Sequence, residues 1–142
     1  MTEDQLQADC LAWFRSAYPA ESGMMFAVPN GGQRNKLQAA QMVATGVTAG
    51  VPDLVWVTLS GAVVMIEMKT AKGTLSPVQK TWHRKAGERL ANRLFVVRSV
   101  AEFKELIPAV YALGRCGLRD SGLTEAWDTV QKYTTKRIKE VG

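Results

Sequence analysis

Three residues of this chain stand where their chemistry is hard to treat as decoration: Asp53, Glu67 and Lys69. They border two apolar runs, LVWVTL at 54–59 and AVVMIEMK at 62–69. In a strand, successive side chains alternate between faces, so Glu67 and Lys69 share a face with Met65 and Val63. Asp53 shares a face with Val55 and Val57. A tight connection between the runs returns the Glu67–Lys69 end beside Asp53. An aspartate, a glutamate and a lysine then converge at one edge of a hydrophobic sheet, and burying each such charge costs several kcal/mol unless a metal or partner compensates. Two neighbouring carboxylates form a hard, all-oxygen site suited to Mg²⁺ or Mn²⁺. An adjacent lysine can orient or deprotonate water, or stabilise charge developing on a phosphate. Lys72, in the basic loop KTAKGTL, follows closely. That layout suits hydrolysis of a phosphodiester. The plainer alternative is a strand ending in exposed charge, with Asp53 in a turn.

The elements that would position these residues can be read from periodicity and punctuation. Residues 3–17 predict a helix with Leu6, Cys10, Trp13 and Phe14 on one side, capped at Thr2 or an acidic neighbour. A short strand over 24–28 stops at Pro29, and PNGG marks a turn. Residues 34–45 suit a second helix ending at Gly46. The loop GVTAGVPD leads into strands over 54–59 and 62–69, joined by Ser60-Gly61 as a two-residue turn. Both faces of these strands are apolar, which predicts a sheet covered on both sides by helices. Ser76-Pro77 starts a helix to about Ala91 that buries Val78, Trp82, Ala86 and Leu90. Residues 94–98 form a last strand, and Ser99 caps a helix from Val100. A final helix over 121–139, capped by Ser121, presents Leu123, Trp127, Val130 and Ile138 on one face. It can close the domain or meet a second subunit.

The 142 residues fit one domain, with little room for a second of ordinary size. Two separated cysteines, Cys10 and Cys116, argue against a disulfide scaffold and a zinc knuckle. The start MTEDQLQADC lacks a basic stretch followed by an apolar one, and no run is long enough to span a membrane, so a cytoplasmic protein is expected. The net charge of +5 is uneven: residues 34–104 hold eleven basic and four acidic side chains, whereas 1–33 hold one and four. A basic middle makes a polyanion the natural partner to suspect.

Pro52-Asp53, a spacer of thirteen residues and Glu67-Met68-Lys69 match the PD-(D/E)xK pattern of metal-dependent nucleases. The flanks more specifically resemble the VRR-NUC family: PNGG with Arg34, GVTAGVPDL, IEMK, GTLSPVQ and FVVRS, in that order. The resemblance covers about residues 3–100, leaving a C-terminal helical extension over about 101–142. It implies an α/β, restriction-endonuclease-like core with a mixed four-stranded sheet flanked by helices. It also implies divalent-metal cleavage of DNA, with Mg²⁺ as cofactor and Mn²⁺ as a substitute. Branched DNA such as Holliday junctions would be the substrate, because small stand-alone members, often phage-borne, resemble homodimeric junction-resolving enzymes.

Carried onto this chain, the resemblance makes Asp53 and Glu67 metal carboxylates and Lys69 the catalytic lysine. Met68 would offer its backbone carbonyl to metal, and Gln79 would help organise the site from the following helix. Glu3 matches the acidic residue of the first helix that approaches the metals, with Asp4 adjacent as the alternative. Asn30, Gly31, Gly32 and Arg34 match the loop block, where Arg34 can meet phosphate or form a surface salt bridge. Val43 stands where many relatives carry lysine, which removes one expected DNA contact. The implied mechanism is one-step hydrolysis, with water attacking phosphorus and metal stabilising the departing 3′ oxygen.

Other residues have plainer readings beside functional ones. Lys80, Arg84, Lys85 and Arg89 lie on the Gln79 helix, where DNA-backbone contact competes with a solvated basic face. His83, the single histidine, follows Gln79 by one turn on the same face; a packing or surface role stands against an accessory one. Trp13, Trp56, Trp82 and Trp127 read as core rather than base-stacking platforms, and Cys10 as a small buried hydrophobe. Two rival functions remain open at this point. One is a DNA-binding module that keeps the fold without the activity; the other is a monomeric nuclease for linear, nicked or flap DNA.

Overall fold

A computed structural model describes residues 1–29, 35–116 and 124–134, with the backbone alone at 115 and 116. The chain begins with helix α1 (Glu3–Ala17), whose start is a full capping box. Thr2 accepts from the Gln5 amide and Gln5 answers through the Thr2 amide. Strand β1 (Met25–Ala27) follows a short 3₁₀ turn. Helix α2 (Lys36–Ala44) repeats the capping box with Asn35 and Gln38 and ends before Gly46, whose φ of 103° is open to glycine. Strands β2 (Leu54–Val57) and β3 (Val63–Met68), helix α3 (Pro77–Leu90), strand β4 (Leu94–Val97), helix α4 (Val100–Cys116) and helix α5 (Thr124–Tyr133) complete the order.

The four strands form one mixed sheet in the order β1-β2-β3-β4. The first three are antiparallel neighbours, and β4 lies parallel to β3. The parallel pair requires a crossover, and α3 supplies it. One face carries Leu54, Trp56, Val64, Ile66 and Met68, all at or below 1% exposure. Against them pack Leu6, Cys10 and Phe14 of α1 with Phe103, Leu106 and Ile107 of α4. Phe14 meets Trp56 edge to face at 5.5 Å between ring centres. Burial pushes the Cys10 thiol up to about 12, which makes it the inert buried group expected.

The other face departs from the sequence expectation. It carries Val55, Val57, Val63 and Met65, but Val57 and Val63 stay 38% and 39% exposed. Helix α3 packs on β4 and reaches β3 through the bonds of Gln79 and His83 to Glu67, which leaves the Val57–Val63 end of this face open. The strands are also shorter than predicted, and the hairpin turn is longer. Thr58 bonds to the Ala62 carbonyl through its amide, Gly61 donates to the Thr58 carbonyl, and Gly61 has φ 81°. This is a three-residue loop with glycine in the left-handed position, not a two-residue turn.

The inward stripe of α3 is rotated from the one predicted. His83 and Ala86 are buried, whereas Val78 is 51% exposed and Trp82 and Leu90 are half-buried. The hydrogen bond from Gln79 to the sheet sets the rotation, and one turn later that face presents His83. Trp56 is core, Trp13 packs against the core, and Trp127 is 36% exposed. Helix α5 packs on α4 of its own chain: Val130 joins the core, and Lys132 and Tyr133 both bond to Glu105. Ser121, Leu123 and Ile138 of the predicted last helix lie outside the described residues. Among the described residues, no helix is long and apolar enough to cross a membrane.

Candidate active site

The hairpin register decides where the carboxylates meet. Leu54 pairs with Ile66 and Val55 with Met65, so the next step along β2 brings Asp53 opposite Glu67. The loop before β2 is held by Gly50, whose φ of 88° and whose closeness to α3 both demand glycine. A β-carbon there would come within 2.7 Å of the Val78 carbonyl oxygen. Pro52 behind it is buried. Asp53 Oδ2 then accepts the Met68 backbone amide at 2.7 Å, which locks the end of β2 to the end of β3.

Glu67 is 1% exposed, and both of its oxygens are engaged. Gln79 Nε2 donates to Oε1 at 2.9 Å, and His83 Nε2 lies 3.2 Å from Oε2. Ser76 and Gln79 form the capping box of α3, so the side chain that reaches Glu67 also starts the helix. Lys69 is 7% exposed, with Nζ 3.6 Å from Glu3 Oε1. Glu3 of the first helix therefore meets the site at the lysine. Asp4, on the same turn, is exposed.

The electrostatics are those of a site short of positive charge. Burial first, then the charge of Glu67, push Asp53 up to about 7 against the pull of the Met68 amide. Burial likewise lifts Glu67 to about 7, although its bond with Asp53 and the charge of Lys69 oppose this. Burial lowers His83 to about 4. Two carboxylates that resist ionising together are the environment a divalent cation relieves. No three His, Cys, Asp or Glu side chains among the described residues group closely enough to hold a metal unaided. Asp53, Glu67 and the Met68 carbonyl nevertheless form a hard oxygen set that fits Mg²⁺, which keeps several waters and needs few protein ligands.

Of the basic residues singled out in the sequence, Lys72 is exposed just past the site, in the loop after β3. Lys80 is half-buried and Arg84 exposed, each one residue beyond a Glu67 partner on α3. Asn30, Gly31, Gly32 and Arg34 lie outside the described residues. Periodicity alone gives no sign of Arg98. Its guanidinium donates to the Thr70 carbonyl at 2.9 Å and the Gly73 carbonyl at 2.5 Å, tying down the loop that follows Lys69. Its place in the FVVRS block is the one sequence signal that could have found it.

Comparison with known proteins matches residues 1–101 to the VRR-NUC domain. A solved structure described as a VRR_NUC domain protein superposes with a TM-score of 0.55 at 21% identity, covering 84% of this chain and 89% of the other. No curated protein matches. A VRR-NUC domain implies a nuclease of the restriction-endonuclease-like kind with DNA as its substrate. The αβ order, the mixed four-stranded sheet and the acidic pair at its edge all accord with a match over the first 101 of 142 residues, and this chain belongs to the VRR-NUC family.

Proposed function

We propose that this chain is a divalent-metal-dependent endodeoxyribonuclease that uses Asp53, Glu67 and Lys69 and acts, as a homodimer, on branched DNA such as four-way junctions. The observation that carries the chemistry is the Asp53–Glu67 pair, with Glu67 buried and Asp53 half-buried, facing across the hairpin and raised to about 7 at each carboxyl, with Lys69 alongside. A bound Mg²⁺ or Mn²⁺ would neutralise that pair, polarise the phosphate and supply an activated water at neutral pH.

The residues of the chain do the rest. Asp53 and Glu67, with the Met68 carbonyl, would hold the cation. Gln79 keeps the Glu67 carboxylate in one orientation through Oε1. Lys69, anchored near Glu3, aligns the attacking water and balances negative charge as it grows on the phosphoryl oxygens. Water adds to phosphorus, the bond to the 3′ oxygen breaks, and the strand is left with a 5′ phosphate and a 3′ hydroxyl. Lys72, Lys80 and Arg84 flank the site on the side of α3 and would contact the DNA backbone.

Resolution of a four-way junction needs two paired cuts, which a two-fold dimer supplies. Apolar side chains on the open part of the sheet favour a second copy: Met24, Phe26, Val57 and Val63 are 46%, 45%, 38% and 39% exposed. The test is sedimentation of the protein together with cleavage of four-way, flap, nicked and linear DNA under Mg²⁺ or Mn²⁺. A dimer that cuts four-way junctions preferentially is expected. A strict monomer that ignores them would overturn the branched-DNA reading while leaving the nuclease chemistry intact.

A further inference from the structure

Among the described residues His83 is the most thoroughly buried polar side chain, at 0% exposure, and the hydrolytic steps above make no use of it. Its Nε2 lies 3.2 Å from Glu67 Oε2, and its Nδ1 is buried with no hydrogen-bond partner. Glu67 must be ionised to bind a cation, and in that state its oxygens can only accept, so Nε2 carries the hydrogen and the bare nitrogen is Nδ1. Leaving a ring nitrogen buried and unpaired costs stability. A leucine or methionine in this place would avoid that cost, as the apolar stripe of a helix ordinarily does. The cost is explained if the other nitrogen has a task.

Gln79 and His83 stand one turn apart on α3, and each donates to a different oxygen of Glu67. We infer that His83 is a positioning residue: with Gln79 it makes a two-point clamp that fixes the plane of the Glu67 carboxylate. Each carboxylate oxygen has a second lone pair, which the clamp leaves available to a cation. With one donor missing, Oε2 is buried without a partner and the carboxylate can turn about its last bond. The inference rests on the reading that Glu67 binds a divalent cation. It adds that α3, through a residue that touches neither metal nor DNA, sets the affinity for that cation. Partners of this kind around metal ligands are worth about 10–100-fold in metal affinity.

The test is Mn²⁺ binding to the full chain without DNA, by titration calorimetry and by loss of the free-ion paramagnetic resonance signal. Wild type, His83→Leu, His83→Gln and Glu67→Gln are compared. His83→Leu removes the donor and is expected to weaken Mn²⁺ binding about 10–100-fold while remaining folded. His83→Gln restores an amide donor of similar reach and is expected to recover most of that loss. Leucine binding Mn²⁺ within twofold of wild type would overturn the inference. So would glutamine failing as badly as leucine, since ring packing would then be what matters. If the leucine variant does not fold, His83→Met takes its place with the same expectations. Glu67→Gln binding as well as wild type would instead overturn the metal-site reading itself.

Discussion

A glutamate at 1% exposure that faces an aspartate across a hairpin is stable only with some means of offsetting its charge. Asp53 and Glu67 both sit near 7, well above their ordinary values of 3.8 and 4.5. A carboxyl raised in the folded state favours folding while protonated. Its contribution is fully present below about pH 4 and is lost as pH rises through about 7. The metal-free protein should therefore lose thermal stability between pH 5 and pH 8, and Asp53→Asn should flatten that decline. Asparagine keeps an oxygen for the Met68 amide, so at pH 8 the variant should melt several degrees above metal-free wild type. Equal melting temperatures at pH 8 would show that the pair carries no buried charge penalty. These residues are legible in the sequence because polar side chains interrupt an otherwise apolar hairpin, and because alternation and antiparallel return are simple geometry. His83 is less legible. Its contact with Glu67 follows from the rotation of α3, which Gln79 sets against the apolar spacing of Val78, Trp82, Ala86 and Leu90.

At the scale of elements, two loops hold the site. The loop before β2 passes so close to α3 that Gly50 cannot carry a side chain, and its positive φ adds backbone strain to any replacement. Gly50→Ala is expected to destabilise the fold by about 1–3 kcal/mol in a urea titration. Cleavage should fall further than stability accounts for, because Asp53 lies three residues on. The loop after β3 is tied by Arg98 to two backbone carbonyls. Both bonds leave one nitrogen, Nη1, so Arg98→Met, which keeps much of the side chain's length and removes every donor, breaks both ties at once. It is expected to lower cleavage with little change in the midpoint of unfolding, and to make the 70–73 loop more susceptible to proteolysis. Full activity in that variant would show that the loop needs no such tie. Helix and strand order are readable from caps and turn residues such as Thr2, Ser76, Ser99 and Gly46. The open part of the second sheet face is not, because Val57 and Val63 are as apolar as the residues that are covered. Burial there is decided by how far α3 extends across the sheet.

For the whole molecule, the open apolar pair Val57 and Val63 lies at the turn end of the hairpin and the acidic pair at its other end. The segment 34–104, with its excess of basic side chains, also carries Asp53 and Glu67, and its net positive charge suits a polyanionic partner. Replacing Lys72, Lys80 and Arg84 together with alanine should weaken DNA binding at low salt. It should also reduce the slope of log affinity against log salt by about 2–3, as expected for that many lost phosphate contacts. An unchanged slope would remove this face from the DNA contact. The C-terminal helix is accounted for without a second subunit, since Val130 joins the core of its own chain.

On the proposed function, Asp53, Glu67 and Lys69 make one metal-dependent hydrolytic site. Nicking of supercoiled DNA in Mg²⁺ by wild type and by Asp53→Ala, with DNA binding measured on the same preparations, tests it most directly. Wild type should nick only when Mg²⁺ is present. Asp53→Ala should lose more than about a hundredfold of that rate while binding DNA within a few-fold of wild type. Nicking by Asp53→Ala at the wild-type rate, or by wild type in excess chelator, would contradict the assignment.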